Sequence, residues 1–340
     1  MNRSRAPYTW LVLALTCALG ASLGLGSEWV SPVDLARLVL QAIGLESVDP
    51  TLEQDRIILW SLRMPRAALM ALVGASLGSS GAAYQGLLRN PLADPYLIGV
   101  APGAALGAAI AIVFLGPTTT LGYMTVPACA FVGALVTVAV VYRMARVGNS
   151  TPVTTLILAG VAVGAFASAA TSFVMLLRED QIGRVIYFLW GGFGLGGWQP
   201  VLALSPYVCA AVGTLILFAR PLNALQFGDE QASQLGLDVE RLKLVLIAAA
   251  TLAAAAAVAL TGIIGFVGLI VPHVLRVLAG PDHRRLIPFS ALGGATLLLM
   301  ADTLQRSLPI LSRTPVGVVT AVLGAPLFLV LLRRNQKANW

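Results

Sequence analysis

The chain has 340 residues, of which 58% are hydrophobic and 11% charged, with a formal net charge of +7. A soluble domain carries about 25% charged residues, so a soluble enzyme is excluded and a polytopic membrane protein is expected. Only Lys243 and Lys337 are lysines; no nucleic-acid partner is expected, because in such a chain the placement of Lys and Arg between loops outweighs their total.

A transmembrane helix needs about 20 apolar residues to cross about 30 Å of hydrocarbon. The chain opens with MNRSRAPYTWLVLALTCALGASLGLG. Its apolar run exceeds the roughly 7–15 residues of a secretory signal and is read as a retained first span near 8–27. The next span, near 67–88, contains 71-ALVGASLGSSGAA-83, whose small residues allow close helix approach. The uncharged run from Tyr96 to Tyr142 is broken by 116-GPTTTLGYMTVP-127 and makes two spans, near 96–115 and 126–142. A fifth lies near 153–177. The Gly-rich stretch 185-VIYFLWGGFGLGGWQP-200 is expected to be a short surface or re-entrant helix before the sixth span, near 199–219. After the charged segment 225-LQFGDEQASQLGLDVERLK-243, the uncharged run 244–275 is broken at 261-TGIIGFVG-268, giving spans near 244–261 and 264–279. The last two lie near 286–302 and 314–332. The expected fold is an all-α polytopic membrane protein of ten transmembrane helices in a single transmembrane domain, 1–340.

Ten spans put both termini on one side. A cytoplasmic N-terminus places fourteen Lys and Arg in inner loops against eight in outer loops, the bias seen in membrane proteins. Segment 225–243 then faces the cytoplasm. Its acidic residues Asp229 and Glu230 favour a helix start. Ala232 and Leu235 are expected on one face at i,i+3, Gly236 as a left-handed stop, and Asp238 as the cap of the next helix. Gln226, Phe227, Ala232, Leu235 and Leu237 give this segment an apolar side suited to docking.

The chemistry missing from the chain narrows its function. No GxxxxGK[ST] phosphate loop is present. No nucleophile–base pair or metal-ligand cluster appears, so the chain is not expected to be an enzyme or to bind a cofactor or metal itself. A proton-driven secondary carrier, the alternative reading, needs paired carboxylates within the spans. Only Asp302 lies near a span interior, with Arg306 at i,i+4 as its expected ion-pair partner at the outer interface. His273 is expected to be packed beside a bend at Pro272, and His283 to lie in a cytoplasmic loop. Cys17, Cys129 and Cys209 sit in apolar runs as expected buried hydrophobes.

Six stretches, in order, carry a resemblance: 63-RMPR-66, 90-NPLADPYLIGV-100, 228-GDEQASQLG-236, 262-GIIGFVGLIVPHVLR-276, 281-PDHRRLIP-288 and 315-PVGVVTAVLGAPLF-328. Together they resemble the permease subunits of type II ABC importers, which take up cobalamin, ferric siderophores and haem. The resemblance implies a homodimer of ten-helix subunits with a central translocation pathway in the bacterial cytoplasmic (inner) membrane. It implies two ABC ATPase subunits beneath, which use ATP and Mg, and an extracytoplasmic substrate-binding protein above. By position, Gly228, Asp229, Glu230, Ala232, Leu235 and Gly236 correspond to the ATPase-coupling helix. Arg63, Arg66 and Arg306 correspond to the outer arginines that pair with acidic residues on the lobes of the binding protein. Asn90, Pro91, Leu92, Val153 and Thr154 correspond to positions near the cytoplasmic gate. The segment 190-WGGFGLGGW-198 stands slightly nearer cobalamin permeases than most siderophore ones, with ferric siderophore nearly level and haem behind.

Overall fold

Long runs of Ala, Leu, Val and Ile leave the backbone no solvent partner in a membrane, and a helix answers each N–H within its own segment. The computed structural model describes residues 6–26, 30–47, 49–115, 122–192 and 196–338. In chain order the helices are α1 (Ala6–Gly24), α2 (Pro32–Ala42), α3 (Glu53–Ile57), α4 (Met64–Leu87) and α5 (Val100–Ile110). They continue with α6 (Thr125–Ala145), α7 (Val153–Leu176), α8 (Ile182–Leu189), α9 (Gln199–Leu217) and α10 (Ala219–Leu225). The last are α11 (Asp229–Gln234), α12 (Val239–Thr261), α13 (Val267–Ala279), α14 (His283–Ser307) and α15 (Val316–Ala338). Among the described residues no strand forms beyond an isolated bridge between Val147 and Ser150. Among the described residues six helices are long and apolar enough to cross a membrane, and four shorter apolar helices accompany them: Tyr8–Gly24, Val100–Leu115, Val267–Ala279 and Val316–Val330.

The second span begins earlier than the residue pattern predicted. Helix runs without interruption from Pro50 to Leu87, so Arg56, Arg63 and Arg66 are helical rather than loop residues. The reason is local. Pro65 supplies no amide N–H, and the turn before it, Ile58–Arg63, is wound as a π-helix that leads into α4 without a break. Chain reversal at 261–268 falls where the glycines predicted it. Gly262 (φ +75°) and Phe266 (φ +70°) adopt left-handed backbone between α12 and α13. The amide of Ile263 donates to the Phe188 carbonyl at 3.3 Å, which seats the end of α8 under this break. The turn at 116–121 and the glycine-rich residues 193–195 lie outside the described residues.

Helix α12 is the centre of the bundle, with 78% of its apolar window buried, whereas α7 has 22% and presents Leu158, Val161, Phe166, Phe173 and Leu176 outward. Helices α4 and α14 make the closest pair. A Cβ placed on Gly74 would meet the Gly294 carbonyl, and one on Gly78 the Ser290 carbonyl. The backbones therefore touch, which only glycine permits at these two positions. Gly78→Val is expected to destabilise the fold by about 3 kcal/mol or more, because overpacked rigid backbone cannot yield as a side chain does. A Gly78→Val protein that melts in detergent at the wild-type temperature would show that the two helices can separate freely. The cysteines depart from expectation: Cys17 and Cys209 are exposed on helix surfaces and Cys129 is half-buried, all three as free thiols. In apolar surroundings a thiol needs no protein cover, so an apolar run alone did not reveal which helix face carries it.

Candidate functional site: an ion network at one end and an arginine cluster at the other

The charged segment closes one end of the bundle. After α10, Gly228 (φ +114°) turns the chain into the six-residue α11, and Gly236 (φ +82°) turns it out again. Asp238 then caps α12 by accepting from the Arg241 amide at 3.1 Å. Phe227, Glu230 and Leu235 are exposed, with Phe227 at 74% and Leu235 at 69%. Ala232 does not share that face. It is fully buried in the cluster that contains Leu222, Leu225 and Leu242. The i,i+3 argument failed because α11 is too short to hold one stripe outward. Its first and last turns are bent by the two glycines, and Leu235 already stands outside the helix.

Asp229 anchors this segment from within. One carboxylate oxygen accepts from Arg89 Nη2 at 2.9 Å, and the other from Lys243 Nζ at 2.6 Å. Lys243 is 3% exposed, and its ammonium also donates to the Thr151 carbonyl at 3.0 Å and to Glu240 Oε1 at 3.1 Å. An ammonium has three donors, and here all three are used. Arg89 immediately precedes Asn90–Leu92, and Thr151 lies two residues before Val153. Both stretches that the resemblance implied as gate-flanking therefore hang on one charge network. Asn90 Oδ1 accepts from the Leu92 amide at 2.9 Å and tightens that turn. Asn90, Pro91, Leu92 and Thr154 are exposed, and Val153 is half-buried as the first residue of α7.

The loop after Leu92 is fixed by two further bonds. Asp94 Oδ1 caps a short helical turn through the Tyr96 amide at 2.8 Å, and Tyr96 Oη donates to the Ile264 carbonyl at 2.8 Å. Desolvation pushes the Asp94 carboxyl up to about 6, against the smaller downward pull of the Tyr96 amide. Asp282 shows the opposite balance: burial raises it, but bonds from Asn223 and the Arg284 amide outweigh that and hold it below the usual carboxylate range. His283 is not a loop residue, contrary to expectation. It is the first residue of α14 and fully buried, with its amide donating to Asn223 Oδ1 at 2.9 Å and its Nδ1 2.8 Å from the same oxygen. Capping by Asp282 starts α14 at His283, and α10 then covers the ring.

At the opposite end, Arg63, Arg66 and Arg306 converge. Asp302, fully buried, accepts from Arg66 Nε at 2.9 Å on one oxygen and from Arg306 Nε at 2.9 Å on the other. Arg66 Nη2 also donates to Gln305 Oε1 at 3.1 Å, and Arg306 Nη2 to Ser22 Oγ at 2.9 Å. Arg63 is buried and donates to the Leu23 and Gly24 carbonyls at 2.6 and 3.0 Å. The resemblance implied outer arginines that pair with acidic residues of a partner. Here Arg63 is buried, Arg66 and Arg306 are partly covered, and each is also bonded within the chain. Because Arg63 and Arg66 belong to a helix and not a loop, they are drawn against α1 and α14.

Residue reading missed the inner half of this site. Lys243 was seen only as the end of a charged stretch, and Arg89, Thr151 and Asn223 were given no role. One signal was available: Lys243 is one of two lysines in the chain and stands at i,i+3 from Glu240. Its partners Asp229 and Thr151 are distant in sequence and carried no pattern.

Comparison with known proteins bears on the whole chain. A model of the FecCD transport family matches residues 12–334. The Cobalamin import system permease protein BtuC of Halobacterium salinarum is 45% identical over 284 residues, spanning 84% of this chain and 75% of that protein. The Hemin transport system permease protein HmuU of Yersinia pestis is 41% identical over 282 residues, spanning 82% and 83% respectively. Among solved structures, an inward-facing conformation of a putative metal-chelate type ABC transporter superposes with a TM-score of 0.82 at 29% identity, covering 97% of this chain and 99% of that one.

Proposed function

Because the chain belongs to the FecCD transport family and is the membrane-spanning permease of an ABC importer, we propose that it carries a metal chelate inward by alternating access, driven by separate ATPase subunits. Cobalamin is the first candidate cargo, since the relative at 45% identity is named for it, with haem and ferric siderophores as further members of the same class. The working unit is a homodimer of ten-helix subunits. Helix α7, the least enclosed of the long helices, supports this by offering an apolar face for a second copy. ATP and Mg act in the partner, and the chain itself holds no cofactor.

One observation carries the reading. The segment Phe227–Gly236 exposes Phe227, Glu230 and Leu235 while Asp229 and Ala232 fasten it to the bundle. A segment built only to connect two helices would need neither the exposed apolar pair nor the buried anchor. Such a projection is a handle for a partner that supplies work. In this orientation the handle and both termini face the cytoplasm of a bacterial inner membrane. The arginine cluster faces outward and attracts acidic lobes of a binding protein, steering and orienting it.

The test is uptake into proteoliposomes. Purified chain, its ATPase and its binding protein should accumulate radiolabelled cobalamin, hemin or a ferric chelate when ATP and Mg are supplied on the ATPase side. Accumulation that follows a proton gradient and ignores ATP would instead establish a secondary carrier.

A further inference from the structure

We propose that Lys243 is a positioning residue for the transport cycle, tying the coupling segment to both gate-flanking segments so that the three move as one body. This rests on the importer reading above. Three observations carry it. The Lys243 ammonium is buried and gives its three donors to Asp229, Glu240 and the Thr151 carbonyl. Asp229 is the first residue of α11 and also holds Arg89, next to Asn90. Thr151 leads through Pro152 into Val153, the first residue of α7. The path from the exposed handle therefore divides at Asp229: through Arg89 it reaches Asn90, and through Lys243 it reaches Thr151 and Val153.

The stiffness of this path follows from burial. Arg241 and Asp238, at 87% and 55% side-chain exposure, form a surface pair that water can replace at little cost. Lys243 has a side-chain exposure of 4%. If α11 moved away alone, it would leave a buried ammonium short of an acceptor, a state proteins avoid. Displacement of the handle is thus delivered to the Thr151 segment through the buried ammonium, while Arg89 follows through its more exposed bond to the same Asp229. Lysine suits this place because its compact charge reaches three acceptors from different directions, which a neutral amide or an apolar chain of equal length does not.

The experiment uses the full transporter in proteoliposomes, with radiolabelled cobalamin or hemin as the cargo probe, and compares wild type with Lys243→Met, Lys243→Gln and Lys243→Arg. Cargo moved per ATP hydrolysed should fall about tenfold in the Met and Gln variants, the size of one lost coupling link, while ATPase assembly stays within about twofold of wild type. The Arg variant should recover most of the lost coupling. Spin labels at Gln234 and Asn149, in a chain whose three cysteines are replaced, should keep one separation with and without ATP in wild type and show two in Lys243→Met. Should Lys243→Met fail to fold, the Gln variant, which keeps a polar group at this place, gives the same readout. Wild-type cargo per ATP in the Met or Gln variant would overturn the inference alone. So would a wild-type label separation that changes with ATP, or a loss of uptake, assembly and folded protein together that arginine does not restore. Wild-type protein that shows no ATP-driven uptake at all would sink the importer reading, and this inference with it.

Discussion

Replacing Phe227 and Leu235 together by aspartate is expected to cut ATP-driven uptake by about three orders of magnitude, since interface anchors of this kind contribute about 2 kcal/mol each. The melting behaviour of the chain should stay unchanged. The separation of these effects comes from exposure. Both side chains project from the segment 225–243, and neither belongs to the buried cluster beneath it. Surface substitutions away from packed contacts change stability by about 0.5 kcal/mol or less. A large apolar side chain that contributes nothing to its own fold must find its partner elsewhere, and an apolar anchor converted to a charge leaves that charge desolvated in the partner's pocket. Pull-down of the ATPase by the purified variant in detergent checks this directly. Retained binding with normal uptake would remove the apolar pair from the coupling surface. Ala232→Asp is the contrasting case: it buries the charge inside the chain, so fold and coupling should fail together.

The parts of this molecule legible in its sequence were those written in local pattern. Apolar run length predicted helices close to where α6, α7 and α9 stand, and the glycines of 261–268 marked the reversal between α12 and α13. Capping chemistry placed the start of α12 at Asp238. Local pattern stopped being informative where geometry depends on residues far apart. The start of the second span was hidden because Arg56, Arg63 and Arg66 read as loop charges, while their partners lie in α1, α14 and the same helix. Ala232 read as outward because a helical wheel assumes a helix long enough to have faces. Lys243 read as a loop charge because nothing near it in sequence shows that Thr151 closes over it from 92 residues away.

The two ends of the bundle apply one physical rule in opposite ways. At one end a buried cation is answered by two carboxylates and a carbonyl, which fixes a joint. At the other end a buried carboxylate is answered by two guanidiniums. The first arrangement suits transmission within the chain. The second ties α4 to α14.

Asp302→Ala should be the most damaging single change at this second end, at about 3–5 kcal/mol, because it leaves two covered guanidiniums without their shared counter-charge. Asp302→Asn tells charge from shape. An amide of the same size offers one oxygen and one N–H₂ group, so it turns one of the two arginine contacts into donor against donor. It should therefore be nearly as unstable as alanine, and an Asn variant that melts like wild type would show that packing alone holds the cluster. A third variant separates structure from docking: Asp302→Leu combined with Arg66→Met and Arg306→Met. Removing every member of a buried ionic group often restores what removing one destroys, so this triple variant should recover most of the lost stability as read by thermal unfolding in detergent. Its uptake then decides the role of the arginines. A stable triple variant that no longer binds the binding protein at low salt assigns docking to Arg66 and Arg306. A stable variant that still docks and transports would leave those two arginines as struts between α4 and α14, with outward recognition carried by other residues.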